Sequence, residues 1–570
     1  MKKMKKMKNM KKIIMMTAAL AAVFTAQAFE WENPGGEALK LKLPHDPAYA
    51  FPGGFKATVR FACDLSKIGK QANHANLFCK GNNFRDGYCV MVRKDGSLLV
   101  NIKDIEPEYY VFPAWFESMQ EYLLEVYVTP VCVRIFIDGQ EKGSYPYVGK
   151  FDFSNTHSLH LGSMGGYSFS GRFPLVRLEP LSAVELPPGG PKPMPREAPQ
   201  HQARAEILWT RTICKQDNRY IGWPTVCRLQ SGDIIAVFSG DREAHVCPFG
   251  KVQLVRSKDS GEKWSDPVTI ANGPIDDRDA GIVQMPDGTL LVTYFTSTAY
   301  RTKKLIEQKL PRDDLRYWWQ RHDEKIPDDV RRKALGYYRM ISKDDGYTWS
   351  KPEKMKDLSH TPHGPVLMKD GSLLQLGRTF TAAKLGTTET GRTIISAWRS
   401  TDLGANWVCL CPEVPDMNSE NSKPHMFHEP NAIELPDGTI VGLVRYHGPD
   451  HCLRQTVSVD GGRTWSPMTK TGMLGLPPHI LRLPDGKLVN VYGRRFAQPT
   501  AFGEYATISD DGGATWDVEN EVLLAPCHKG DLGYPSSCVL EDGTILTVYY
   551  QPPAVKEKPA LMATKWRVTK

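Results

Sequence analysis

The chain has 570 residues, of which 41% are hydrophobic, 24% charged and 10% aromatic. These are values of a folded globular protein, and they exclude a disordered or collagen-like chain. Its formal net charge of +8 misleads, because Lys2, Lys3, Lys5, Lys6, Lys8, Lys11 and Lys12 carry seven of those charges. The remainder, near +1, gives no footing for nucleic-acid binding.

Residues 1–28 open with a Lys- and Met-rich stretch, continue through an apolar run from Ile13 to Phe24, and end in Ala26-Gln27-Ala28. That order predicts a secretory signal peptide cut after Ala28, and hence a secreted or periplasmic protein. The apolar run is too short to span a bilayer, and no later stretch reaches about 18 apolar residues, so no integral membrane segment is expected. All 12 Cys follow the leader, none in a CxxC pair and none completing a paired-His zinc site. They read mostly as free core thiols, with export permitting disulfides.

Residues 29–183 alternate apolar and polar positions in runs such as Phe55 to Phe61, Tyr88 to Arg93 and Cys132 to Asp138, the mark of half-buried antiparallel strands. The run from Val133 to Gln140, with Leu159-His160-Leu161-Gly162-Ser163 after it, resembles the laminin-G/concanavalin-like jelly roll. That resemblance implies a β-sandwich that either binds glycans or serves as a spacer. A Pro-rich linker occupies residues 184–203, its prolines unfit for a central strand.

From residue 204 to 570 the sequence repeats itself. Ser-x-Asp-x-Gly-x-x-Trp occurs five times, from Ser257 to Trp264, Ser342 to Trp349, Ser400 to Trp407, Ser458 to Trp465 and Ser509 to Trp516. Interleaved with it are six apolar hairpins whose turns carry Gly232, Gly288, Gly371, Gly438, Gly486 and Gly543. Repetition at this period indicates radially arranged sheets. The expectation is an all-β chain, a six-bladed β-propeller preceded by a concanavalin-like jelly-roll β-sandwich, with the segment from Glu206 to Thr212 closing the last blade. An insertion near residues 300–336 reads as short charged helices around Tyr317-Trp318-Trp319, either overhanging a pocket or packed on its blade.

In such hairpins the residues just before the first strand and just after the second share one face. Nine positions before each turn glycine stand Trp223, Asp279, Pro362, Glu429, Pro477 and Tyr534. Seven or eight positions after stand Arg378, Arg445 and Arg494, with Arg242 at ten. Several arginines around a concave site suit a carboxylate-bearing substrate, because a guanidinium pairs a carboxylate in bidentate geometry.

The Trp-containing turns resemble the Asp-boxes of the sialidase superfamily, a resemblance that covers residues 204–570. The stretch from Gly533 to Gly543 looks like that family's nucleophile strand, and the stretch from His428 to Gly438 like the strand bearing its Glu. The resemblance implies a secreted exo-α-sialidase acting on sialylated glycans without a catalytic metal or organic cofactor. In it Tyr534 is the nucleophile, Glu429 its activating base and Asp279 the acid, with Glu243 and His245 as other candidates for the acid. Arg242, Arg445 and Arg494, with Arg278 or Arg378 and His428, would hold the substrate. A tyrosine nucleophile suits a sugar with a carboxylate on its anomeric carbon, since a neutral phenol does not repel it.

Three departures stand beside the likeness. Gly222-Trp223-Pro224 replaces the family's Arg-Ile-Pro, Glu243-Ala244-His245-Val246 stands where its acid/base Asp is expected, and Tyr550-Gln551 replaces a Glu. These leave open an inverting enzyme using water activated by Glu429 or by His363, His428 or His479. They also leave open a hydrolase of another acidic sugar, or a non-catalytic glycan-binding propeller.

Overall fold

The computed structural model describes residues 29–569 apart from 34–40, 47–48, 50, 52, 70–72, 82–85, 150–155, 165–166, 192–196, 357–360, 381–392, 417–426, 449 and 496–500. The signal-peptide reading of residues 1–28 lies outside the described residues. The chain divides into two compact units, residues 1–194 with 498–500, and residues 195–497 with 501–570.

In the first unit two six-stranded antiparallel sheets share one core. Phe55, Val59 and Phe61 of one sheet and Phe78, Tyr88 and Val90 of the other are among its buried residues. Cys79 and Cys89 face each other in register on neighbouring strands and form a disulfide, and the other ten cysteines are free.

The second unit is a ring of six antiparallel sheets. The first blade runs Tyr220–Arg228, Ile234–Arg242, Lys251–Ser257 and Val268–Ala271. Four more four-stranded blades follow, and the sixth pairs Gly533–Val539, Ile545–Gln551 and Ala560–Val568 with Ala205–Cys214 from the start of the unit. Joining the start and the end of the unit in one sheet leaves the ring without a free seam. Each blade alone buries only one pair of faces, so its core is completed by its neighbours; Val226, Val255 and Tyr550, for example, share one cluster across the closing blade.

The repeated turns explain their own spacing. Ser257 Oγ donates to Asp259 Oδ1 at 2.9 Å and accepts from Gly261 N, while Asp259 Oδ1 also takes the Lys263 N–H at 2.8 Å. Trp264 Nε1 then donates to Gly261 O at 2.9 Å, so Ser, Asp, Gly and Trp each close one bond of a turn between the third and fourth strands. The last copy departs: Trp516 Nε1 donates to Gln455 Oε1 of the preceding blade at 2.7 Å.

Between the second and third strands of the second blade lie three helices, Lys303–Glu307, Leu315–Asp323 and Asp328–Ala334. The middle one carries the aromatic triplet. Trp319 is buried with Cys247, Ile275 and Leu305, and its Nε1 donates to Glu243, whereas Trp318 is exposed. The insertion is therefore packed through Trp319 onto the loop that follows the first blade's second strand.

Candidate active site

One backbone device places the site. In the first, second, fourth, fifth and sixth blades the pairing of the first strand with the second slips near its start, at Gly222/Thr225, Arg278/Gly281, His428/Asn431, Leu476/His479 and Gly533/Ser536. Such a bulge re-aims a side chain away from the sheet. At four of these slips the bulged residue sits in the left-handed region: Trp223 (φ 57°), Asp279 (48°), Glu429 (34°) and Tyr534 (53°). Four bulky or charged residues in that conformation carry a local backbone cost, of the kind that accumulates at functional sites.

Tyr534 and Glu429 come together. Tyr534 Oη donates to Glu429 Oε1 at 2.6 Å; Arg445 Nη1 donates to Glu429 Oε2 and, at 3.2 Å, to Tyr534 Oη. Burial, reinforced by the Glu429 charge, holds the Tyr534 phenol well above its ordinary value, so it is protonated and is the donor to Glu429. Arg445 Nε donates to His447 Nε2 at 2.7 Å, and burial, then Arg445, pushes that imidazole down to about 3, leaving it neutral. The His447 ring lies 4.4 Å from that of His428, whose Nδ1 is 2.7 Å from Arg378 Nη1. Asp279 is only 5% exposed, and burial raises its carboxyl to about 7 against the opposing charge of Arg278.

Beneath Tyr534 lie two further imidazoles. His363 and His479 are 5.1 Å apart, and His363 is 6.4 Å from Tyr534. Burial keeps both neutral, pushing His479 down to about 4 and holding His363 well below the ordinary imidazole value.

Comparison with known proteins agrees with this architecture. The BNR repeat-like domain matches residues 234–547. The chain belongs to the BNR repeat-like domain family. Over 362 residues this BNR-family chain is 25% identical to a sialidase of Bacteroides fragilis (strain YCH46), a match covering 57% of the chain and 59% of the relative. The chain thus spans about three fifths of that relative's length. A solved structure of a protein of unknown function from Dyadobacter fermentans DSM 18053 is similar with a TM-score of 0.51 and 22% identity, covering 64% of this chain and 99% of that one. The NanB sialidase from Streptococcus pneumoniae is similar over 95% of this chain and 99% of its own, at 14% identity and a TM-score of 0.44. The domain match and the Bacteroides fragilis relative agree with the sialidase-superfamily resemblance of the Asp-box turns.

Two arginines of the BNR-family chain do not stand where the sequence spacing puts them. Arg494 turns outward: its Nη2 donates to both oxygens of Glu521 at 2.6 Å and its guanidinium lies 4.1 Å from the centre of the Tyr505 ring. Side chains alternate along a strand, so the position eight after a turn glycine faces opposite to positions seven and nine. Arg495, nine after Gly486, is the residue at the site, 5.8 Å from the centre of the Tyr534 ring. Parity applied to the Arg494-Arg495 doublet would have found it. Arg242 is fully buried, its Nη1 and Nη2 held by Asp276 at 2.5 and 2.8 Å. Arg242 and Arg278 both cover the Trp223 ring, at 5.0 and 4.5 Å. Arg242 therefore braces the first-blade rim.

The loss of the first-blade arginine has a steric counterpart. A Cβ on Gly222 would stand 3.3 Å from Tyr220 Cε1 and 3.6 Å from Tyr550 Cγ. Tyr220 and Tyr550 thus both pack beside Gly222, and Tyr550 Oη accepts from Arg495 Nη2 at 2.7 Å.

Proposed function

We propose that this chain is a glycoside hydrolase, an exo-α-sialidase that releases terminal sialic acid from glycoconjugates through Tyr534. The observation that carries the reading is the Tyr534–Glu429 hydrogen bond with Arg445 on both partners. Tyr534 Oη attacks the anomeric carbon while its proton passes to Glu429, and Arg445 stabilises both the developing phenolate and the carboxylate.

Arg495 supports an acidic substrate. Among the described residues its guanidinium makes a single side-chain hydrogen bond, to the neutral Tyr550, and its Nε is buried without a partner. The Asp531 and Glu504 carboxyls feel its charge without a hydrogen bond to it among the described residues, which leaves its donors for a substrate carboxylate. The Gly222–Tyr550 packing, standing where the family has an arginine, favours a second reading: hydrolysis of a different acidic sugar.

The test is to incubate the protein with a sialylated O-glycan and an activated sialoside and follow the released sugar by proton NMR from the first minutes. Early α-anomer is expected. Early β-anomer would remove the tyrosyl intermediate and leave water activated by Glu429 or by His363. No release from any sialoside would overturn the sialidase reading in favour of another acidic sugar or a binding role.

A further inference from the structure

A retaining hydrolase built on Tyr534 also needs a group that protonates the leaving oxygen and later takes a proton from water. Asp279 has the right chemistry and is as buried as Tyr534, each 5% exposed, with its carboxyl facing Arg278 Nε at 3.8 Å. The loop after the first blade's second strand holds a different unit. His245, with 47% of its side chain exposed, packs edge-on against Trp223 at 4.9 Å, and the same Trp223 ring is 6.3 Å from Tyr534.

Hydrogen bonding fixes the tautomer of this histidine. Tyr220 Oη has one hydrogen and gives it to Asp531 Oδ1 at 2.7 Å. The 2.8 Å contact between Tyr220 Oη and His245 Nδ1 is then made by an Nδ1–H donor, which also faces Asp531 Oδ1 at 3.5 Å. Although burial acts to raise it, hydrogen bonds from His245 and Tyr220 bring the Asp531 carboxyl below the ordinary range, so it is an anion. With Nδ1–H committed, Nε2 is the exchangeable position. The loop itself is tied down: His245 O accepts from Arg242 Nη2 at 3.2 Å, and Arg242 is locked on Asp276. Asp531 lies three residues before Tyr534, so the imidazole is held by the segment that delivers the nucleophile.

We propose that His245 is the catalytic acid/base, with Asp531 and Tyr220 as its positioning residues. This inference rests on the sialidase reading above. In the first step Tyr534 Oη bonds to the anomeric carbon and its proton passes to Glu429. The bond to the leaving oxygen breaks, its electron pair stays on that oxygen, and the oxygen takes the Nε2 proton of His245. In the second step water attacks the anomeric carbon and gives a proton to His245 Nε2. The tyrosyl bond breaks, its electron pair returns to the phenol oxygen, and Glu429 gives the proton back.

The experiment compares kcat/KM on 3′-sialyllactose, whose sugar leaving group needs protonation, with a 4-nitrophenyl sialoside, whose phenolate leaves unaided. His245→Ala is expected to lose about 10²- to 10⁴-fold on the first and less than about tenfold on the second. Asp531→Asn should show the same pattern more weakly, and azide should raise kcat of His245→Ala on the aryl substrate but not that of the wild type. His245→Gln, checked for an unchanged melting temperature, guards against a folding artefact. Equal losses on both substrates, or the leaving-group pattern in Asp279→Asn in place of His245→Ala, would overturn the assignment. A wild type inactive on both sialosides would overturn the sialidase reading and this inference with it.

Discussion

Glu504 offers a quantitative check on the packing around the rim. It is fully buried on the third strand of the fifth blade, opposite Gly493, and a Cβ on Gly493 would come within 3.2 Å of its Oε2 and 2.7 Å of Gly533 Cα. Burial raises its carboxyl from 4.5 to about 8, against the opposing influence of the Arg495 charge and the Gly533 N–H. The folded state therefore keeps a proton that the unfolded chain releases above about pH 4.5. The contribution to stability is complete below the unfolded value, declines as pH rises toward 8, and is fully lost above it. At ~1.4 kcal/mol per unit the span is roughly 4–5 kcal/mol, an upper bound because relaxation and water entry reduce it. Glu504→Gln keeps a neutral side chain at every pH. Calorimetric melts of wild type and variant between pH 4.5 and 9 should differ by a constant offset at the acid end and diverge as pH rises, the variant gaining several degrees by pH 9. Parallel melting curves across the whole range would refute the assignment of a buried neutral carboxyl.

Three further outcomes are expected. Tyr534→Phe removes the nucleophilic oxygen and should lower kcat at least about 10³-fold while ligand binding, read from Trp223 fluorescence, persists. Arg495→Ala should cut kcat/KM about 10- to 100-fold mainly through KM, whereas Arg494→Ala, which breaks the Glu521 pair, should cost about 1 kcal/mol of stability and leave KM unchanged. Asp402→Ala, which strips the Asp-box turn of its bonds from Ser400 Oγ and the Asn406 N–H, should lower the melting temperature without altering kcat/KM.

The parts of this molecule that were legible in its sequence are those whose cause is local. The Asp-box turn closes its bonds within eight residues, so Ser257, Asp259, Gly261 and Trp264 announce themselves by spacing. The turn glycines are equally local, since each hairpin turn needs a left-handed residue and Gly232, Gly438 and Gly543 supply it. Counting from them reached Glu429 and Tyr534 but missed Arg495, because one step of parity separates a residue at the site from one on the outer face. His447 and Glu504 were not legible at all. Each matters through a partner on a neighbouring strand or blade, and apolar patterning does not encode a long-range polar contact. The Cys79–Cys89 disulfide escaped for the same reason: it depends on the register between two strands. The helical insertion was visible from its charged ends, but the middle helix, Leu315–Asp323, was not, since its aromatics are divided between burial and exposure.

The left-handed rim residues bear on how such a site changes over time. The bulge exists whether its occupant is Trp223, Asp279, Glu429 or Tyr534, so the conformational cost is set by the blade and is nearly independent of the side chain. Exchanging one unbranched side chain for another there alters the chemistry facing the axis without adding new backbone strain. The ring behaves as a set of sockets whose fittings can be exchanged one at a time. Trp223, clasped by Arg242 and Arg278, is one such fitting, with Gly222 and Tyr550 packed beside it.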